Sequence, residues 1–126
     1  MAVQIEVPRA LGQQFARSNQ PIPQPITEVA LIDTGATISA VHAPLIQQLG
    51  VAPVGVAKTG TAGGQHQQNL YPLRIGLTEL TETIDYNQVL GADLSGTGFI
   101  ALLGRDLLQN MILIYDGPSS EFTISY

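Results

Sequence analysis

The feature that most constrains this sequence is an apolar run that ends abruptly on an acid. Val29-Ala30-Leu31-Ile32 is followed directly by Asp33, Thr34 and Gly35. The run predicts a strand over residues 27–32, and the residues after it predict a turn over 33–36. Two interpretations stay open at this point. Asp33 is either an ordinary turn residue or a catalytic carboxyl group held at the edge of an apolar core.

The rest of the chain has the pattern of a short all-β protein. Alternating polar and apolar residues, bounded by Gly, Pro and Asp, predict strands separated by turns. Strands are predicted at 2–7, 37–41, 51–58, 70–77, 81–90 and 99–103. Short helices are predicted at 43–50 and 105–110, with Gly50 ending the first. Residues 8–25 contain four prolines and predict a long connection with one helical turn around 10–15. The segment 111–126 predicts a C-terminal hairpin around Asp116-Gly117-Pro118.

Composition limits the possible functions. The 126 residues are enough for one domain, 1–126, and 12% charged residues is a low fraction that leaves room for an oligomer interface. Five Lys and Arg against ten Asp and Glu, with the basic residues scattered, argue against nucleic-acid binding. The absence of cysteine excludes disulfides and thiol chemistry.

Metal, cofactor and membrane functions also lack support in the sequence. The two histidines, His42 and His66, have no metal-ligand spacing and are expected at the surface or on a flap. No phosphate-binding glycine motif is present, so no metal and no cofactor is expected. The N-terminus resembles neither a signal peptide nor an anchor, and we expect no membrane segment and a cytoplasmic location.

Residues 56–70 predict a long hairpin with a glycine-rich tip. The tip is Thr59-Gly60-Thr61-Ala62-Gly63-Gly64. Glycine permits both a tight reversal and large backbone movement. An ordinary loop between two strands is the alternative, and the segment alone does not decide between them.

Two motifs together point to a known family. Asp33-Thr34-Gly35-Ala36, the glycine-rich hairpin, and Leu102-Leu103-Gly104-Arg105-Asp106 occur in the order seen in retropepsin-like aspartic proteases. The chain resembles these proteins from about residue 4 to 126, and its C-terminal hairpin resembles the cellular and bacterial members more than the viral ones. The resemblance implies a single-domain closed barrel or sandwich with one or two short helices, assembled as a two-fold homodimer, with the hairpin of 111–126 at the dimer interface.

The resemblance also implies roles for individual residues. Asp33, Thr34 and Gly35 would form the catalytic turn, with Thr34 bonding across the two-fold axis. The substrate would be an extended peptide covered by the hairpin tip. Substrate contacts would come from Ala36, Thr59, Gly60, Thr61, Ala62, Gly63 and Gly64. The structural support of the site would come from Leu102, Leu103, Gly104 and Arg105.

The chemistry of peptide hydrolysis explains why a second chain is needed. Two carboxylates a few ångströms apart share one proton and act together as acid and base on a water molecule. One chain has one Asp-Thr-Gly. Its other aspartates are expected to be solvated loop or helix-start residues: Asp85, Asp93, Asp106 and Asp116. The expected function is therefore a homodimeric aspartic endopeptidase. The alternative is a retropepsin-fold dimerisation or peptide-binding module with little or no catalysis.

Two departures from the family pattern, at Thr37 and Ala36, lead to further expectations. The acid that retroviral members pair with the arginine is Thr37 here, so Arg105 is expected to pair with Asp106 or with a group across a dimer. Thr37 and Ser39 are expected to make only local hydrogen bonds. Ala36 replaces a frequent serine or threonine, which predicts activity from mildly acid to near-neutral pH. Specificity pockets are placed only loosely, at Ala36, Val41, Ala62 and Ile100.

Overall fold

The computed structural model describes residues 1–61 and 64–126, with only the backbone given for 59–61. Ala62 and Gly63, two of the predicted substrate contacts, lie outside the described residues. The elements in chain order are β1 (Ala2–Glu6), α1 (Arg9–Arg17), β2 (Ile26–Ile32), β3 (Ala40–His42), α2 (Ala43–Gln48), β4 (Gly55–Thr61), β5 (Gly64–Leu77), β6 (Glu82–Ala92), β7 (Ala101–Leu103), α3 (Arg105–Leu108), β8 (Ile112–Asp116) and β9 (Glu121–Ser125).

Six strands close into a barrel. The sheet order is β1-β2-β7-β3-β6-β5-β4, and β1 also pairs with β5, which joins the two ends of the six-stranded part. β4 stays outside the barrel and pairs with the first half of β5, from Gly55 opposite Leu70 to Thr61 opposite Gly64. β8 and β9 form a separate two-stranded sheet. The predicted β-rich closed barrel is therefore confirmed.

The barrel interior is apolar because alternate residues of its strands point inward. β1 shows this most simply, since Val3 and Ile5 are completely buried between partly exposed neighbours. α2 and α3 each add a buried side chain, Ile46 and Leu107. The fully buried residues drawn from the other strands include Val41, Leu73, Ile75, Leu77, Val89, Ala101 and Leu103.

Most predicted elements are present, with four corrections. Three short helices occur within the described residues instead of one or two, because the helical turn expected at 10–15 is the nine-residue helix α1. It begins after Pro8. Leu11 packs against the barrel core, Phe15 one turn later is half-buried, and the polar face is exposed. β3 starts at Ala40 and not at 37, β4 starts at Gly55 and not at 51, and β7 starts at Ala101 and not at 99. Gly50 ends α2 in a left-handed conformation, φ 73°, as expected for a glycine stop.

The described helices do not include a membrane-spanning one. None is both long and apolar enough to cross a bilayer.

Candidate active site

Asp33 lies where two parallel strands of the barrel end together. β2 and β7 run side by side with Ile32 opposite Leu103. The Asp33 N–H donates a 2.9 Å hydrogen bond to the Leu103 carbonyl. Because the strands are parallel, their carboxyl ends meet at the same edge of the sheet. The two motifs that are far apart in sequence, 33–36 and 102–106, are therefore neighbours.

The turn after β2 fixes the Asp33 side chain. Its Oδ1 accepts a 2.9 Å hydrogen bond from the Gly35 N–H, and its carbonyl accepts one of 3.2 Å from the Ala36 N–H. An aspartate that bonds the backbone two residues ahead is a recurrent way to set such turns. No described residue donates to Oδ2. Asp33 is half-buried, while Thr34 and Gly35 are exposed, so the carboxyl group faces outward in a defined orientation.

Gly104 packs closely against the loop that follows Asp33. A Cβ atom at this position would lie 2.8 Å from the Ala36 carbonyl oxygen and 3.0 Å from the Ile38 carbonyl carbon. The next two backbone N–H groups, of Arg105 and Asp106, donate to the carbonyls of Ala36 and Thr37 at 2.8 and 3.2 Å. The chain of the second motif therefore packs directly against the loop that follows Asp33, and only glycine leaves room for it.

Ser39 and Asp106 hold these two segments together through a side-chain contact that the sequence did not predict. The Ser39 hydroxyl donates to Asp106 Oδ1 at 2.7 Å, and the Ser39 N–H donates to Oδ2 at 2.9 Å. The same hydroxyl accepts a 2.9 Å hydrogen bond from the Gly104 N–H. Ser39 is completely buried. The expectation that Ser39 bonds only locally is wrong. Asp106 lies in the first turn of α3, in keeping with a helix-start residue, but its oxygens are bonded to Ser39.

The expected ion pair between Arg105 and Asp106 is also absent. Arg105 Nη1 donates to the Thr34 carbonyl and Nη2 to the Thr37 hydroxyl, both at 2.9 Å. Thr37 is therefore bonded to a distant residue and not locally. Arg105 therefore joins Thr34, within the turn, to Thr37, the first residue after it.

The predicted substrate contacts are distributed between this turn and the β4–β5 hairpin. Thr59, Gly60 and Thr61 end β4, and Gly64 begins β5. Ala36 and Ile100 are half-buried and can face a ligand, but Val41 is completely buried in the barrel core. Its proposed place in a specificity pocket is wrong, because β3 directs that side chain inward.

The histidines lie apart from this turn. His42 is half-buried, and its Nδ1 accepts a 3.1 Å hydrogen bond from the Leu94 N–H, so it fastens the 93–100 loop and is not a simple surface residue. His66 is exposed on β5, within the hairpin. Among residues 1–61 and 64–126, no three acidic or histidine side chains come together as a metal site.

An apolar hollow adjoins the exposed side of the turn. It has a volume of about 550 Å³ and contains Thr34 at its edge. Its apolar lining comes from Leu31, Ile32, Phe99, Leu113, Tyr115 and Phe122. The lining joins β2 to the C-terminal hairpin, so this hairpin extends the surface on which Asp33 lies.

Solved protein structures share this arrangement of strands. The chain matches the solution structure of simian foamy virus (mac) protease with a TM-score of 0.53 and 17% identity, over 86% of this chain and 92% of that one. It matches EIAV protease, solved in complex with an inhibitor, with a TM-score of 0.51 and 21% identity, over 87% and 84%.

The fold is retropepsin-like. The predicted fold is confirmed, while the closer resemblance to cellular and bacterial members stays a prediction. No protein-family model and no curated protein matches the chain in sequence. Within the retropepsin-like barrel, the Asp33 turn and its support by Gly104 are the features that carry a functional argument.

Proposed function

We propose that this protein is a homodimeric aspartic endopeptidase. The observation that carries the proposal is the Asp33 carboxyl group, oriented by the Gly35 N–H at the end of β2 in a retropepsin-like barrel. Two such carboxyl groups, one from each protomer, would share a proton and activate a water molecule for attack on a peptide carbonyl. Thr34 and Gly35 would complete each half of the site.

The need for a second chain follows from the surroundings of Asp33. The other aspartates near the turn are unsuitable, since Asp106 has both oxygens occupied by Ser39. Asp116 is the last residue of β8, beside the β8–β9 turn, where it accepts a 3.4 Å hydrogen bond from the Ser119 N–H. The proposal therefore takes the paired carboxylate from a second copy of Asp33.

The C-terminal hairpin supports a dimer. Within the described strands β8 and β9 pair only with each other, and they expose large apolar side chains. Ile112 is 64% exposed, Ile114 60% and Tyr115 74%. A cluster of exposed apolar side chains on one element is typical of a protein–protein contact. Because the hairpin adjoins the hollow beside Asp33, its association with a second copy would place the two turns near each other.

The β4–β5 hairpin suits an extended peptide. β4 is the last strand of the sheet, so one of its edges carries N–H and C=O groups that no described strand pairs. An extended chain can add to such an edge through backbone hydrogen bonds. Residues 59–64 would then cover the peptide and exclude water during the reaction.

The alternative function is a dimerisation or peptide-binding module with little or no catalysis. The fold alone permits both functions. The orientation of the Asp33 carboxyl group favours the enzyme, since a binding module has no need for two acids brought face to face.

The test is cleavage of a mixed peptide library, followed by mass spectrometry. The wild-type protein should cleave peptides, and pepstatin, which mimics the transition state, should inhibit it. Asp33→Asn and Asp33→Ala should abolish cleavage while the dimer persists in sedimentation experiments. Asp116→Asn, beside the β8–β9 turn, is the matched control and should remain active. Cleavage that survives Asp33→Asn would refute the proposal, and a pure wild-type dimer that binds peptides without cleaving them would favour the alternative.

A further inference from the structure

The guanidinium group of Arg105 is bonded to neutral oxygens only. Its two donors bind the Thr34 carbonyl and the Thr37 hydroxyl. Among residues 1–61 and 64–126 the one ion pair joins Arg74 to Glu6 at 3.7 Å. Arg105 is exposed. Its positive charge therefore has no carboxylate partner in the described part of the chain.

The remaining donors of Arg105 border an open hollow. A guanidinium group has five N–H donors, and two are used here. The hollow has a volume of about 620 Å³ and is lined by Thr34, Thr37, Arg105, Asp106, Leu108, Gln109 and Leu113. Its lining of both apolar and polar side chains suits a ligand side chain that has an apolar stem and a polar head.

Asp106 is the one acid in this lining, and its oxygens are already occupied. Oδ1 accepts from the Ser39 hydroxyl and from the Leu107 N–H, and Oδ2 accepts from the Ser39 N–H. Both carboxylate oxygens of Asp106 therefore accept hydrogen bonds from Ser39, and Asp106 forms no ion pair with Arg105. The guanidinium group of Arg105 is therefore the charged group in this lining that can bind a ligand.

We infer that Arg105 binds an acidic side chain of the peptide substrate. This inference rests on the proposed peptidase function. Thr34, whose carbonyl Arg105 contacts, directly follows Asp33, so the guanidinium group lies within about 10 Å of the Asp33 carboxyl group. An extended peptide advances about 3.3 Å per residue. When the length of the acidic side chain is added, the substrate position therefore lies within about four residues of the cleaved bond, and the side chain is glutamate or aspartate.

The same charge could instead receive a carboxylate from the partner protomer. Leu113 of β8 also lines this hollow, next to the proposed dimer contact. The substrate is the occupant we infer, because Thr34 and Thr37 closely follow Asp33 in the chain. If Arg105 instead bound a carboxylate of the partner protomer, neutralising Arg105 would weaken the dimer. The peptide preference and the dimer dissociation constant are therefore both measured.

Thr37 provides a matched pair of variants. Its hydroxyl lies 2.9 Å from Arg105 Nη2, so the carboxylate introduced by Thr37→Asp would neutralise Arg105 within the chain. Thr37→Asn has the same size without the charge. Both variants keep a hydrogen-bond acceptor for Arg105, so neither should loosen the turn. A difference between them therefore reports the loss of the anion-binding site.

The first measurement uses a peptide library in which glutamate and glutamine are equally frequent. Wild-type protein and Thr37→Asn should cleave glutamate-containing peptides about three to ten times more efficiently than their glutamine counterparts, at one position within four residues of the cut. Thr37→Asp should reduce this ratio to about one. A ratio near one in the wild type, or a preference that survives Thr37→Asp, would overturn the inference. The inference would also be overturned if Thr37→Asp changed the dimer dissociation constant but left the preference for glutamate unchanged.

A second measurement does not depend on catalysis. In the Asp33→Asn protein, the NMR signal of the Arg105 Nε–H should shift when a glutamate-containing peptide pool is added and should move much less with the glutamine pool. The additional change Thr37→Asp should remove the difference. If the wild type cleaves no peptide at all, the proposed function fails, and this signal still decides whether Arg105 binds an acidic side chain. An unmoved signal would contradict the inference.

Discussion

The Ser39 hydroxyl donates a 2.7 Å hydrogen bond to Oδ1 of Asp106, which lies 67 residues further along the chain. This bond joins the loop after the candidate catalytic turn to the start of α3. The Ser39 hydroxyl also accepts a hydrogen bond from the Gly104 N–H. One buried hydroxyl group is therefore bonded to two residues of the 102–106 motif, Gly104 and Asp106. The orientation of the Asp33 turn depends on a contact outside the turn itself.

Replacement of Ser39 tests this connection. Ser39→Ala would leave the buried Gly104 N–H without its acceptor and would remove one donor to a partly buried carboxylate. We expect the free energy of unfolding to fall by about 2–3 kcal/mol, measured by urea denaturation. Ser18→Ala, at an exposed serine just after α1, should change it by less than about 0.5 kcal/mol. Equal effects of the two substitutions would show that the Ser39 contact has little energetic weight.

Gly104 should tolerate no side chain. Gly104→Ala places a Cβ atom 2.8 Å from the Ala36 carbonyl oxygen, and relief of that clash should cost about 1–3 kcal/mol and displace the Asp33 turn. Gly12→Ala, within helix α1, is the control, since its Cβ would lie 3.7 Å from the Val7 side chain, an ordinary contact distance. It should stabilise the protein by about 0.5–1 kcal/mol. Thermal unfolding of both variants gives the comparison, and a neutral Gly104→Ala would contradict the close packing described here.

Tyr86 should make the protein sensitive to alkali. Its hydroxyl is buried and no described residue accepts its proton. Burial raises the pKa of Tyr86, and the negative charge of Asp106 adds to the effect. An unfolded tyrosine ionises near pH 10 while the folded one stays neutral, so the folded state holds more protons and loses stability as the pH rises above 10.

Tyr86→Phe removes this loss. The variant should be as stable as the wild type at pH 8, or more stable by up to about 1 kcal/mol. Its advantage should then grow above pH 10 by at most about 1.4 kcal/mol per pH unit. Urea denaturation between pH 8 and 11 measures the difference. Tyr115→Phe, at a ring that is 74% exposed, should follow the wild type, and a parallel pH dependence of all three proteins would show that Tyr86 ionises normally.

Local sequence patterns were sufficient to predict the strands, the second helix, the C-terminal hairpin and the residues of the Asp33 turn. These features depend on neighbouring residues, such as the apolar run before Asp33 or the glycine after α2. The Ser39–Asp106 contact was missed because its partners are brought together only when β2 and β7 pair. The same contact explains the shorter β3, since the Ser39 N–H binds a side chain and not a neighbouring strand. Leu11 and Phe15, spaced by four, were the available signal for α1, which the prolines around it obscured.

Ala36 should set the pH range of catalysis. No hydroxyl at this position is available to favour the ionised form of the paired carboxyl groups, so we predict maximal cleavage from mildly acid to near-neutral pH. Ala36→Ser should extend the acidic limb of the pH–rate profile to lower pH by up to about one unit. The profile of kcat/KM on one cleaved peptide measures this. A wild-type optimum in the strongly acidic range, or an unchanged profile in Ala36→Ser, would contradict the role given to Ala36.

The most direct test of the central claim is a mixing experiment with wild-type and Asp33→Asn protein. If each active site contains two Asp33 carboxyl groups, mixed dimers are inactive and cleavage falls with the square of the wild-type fraction. An equal mixture, allowed to exchange protomers, should then retain about one quarter of the activity of the same total amount of wild-type dimer. Retention of about one half would mean that each protomer works alone, and would contradict a site shared between two copies of Asp33.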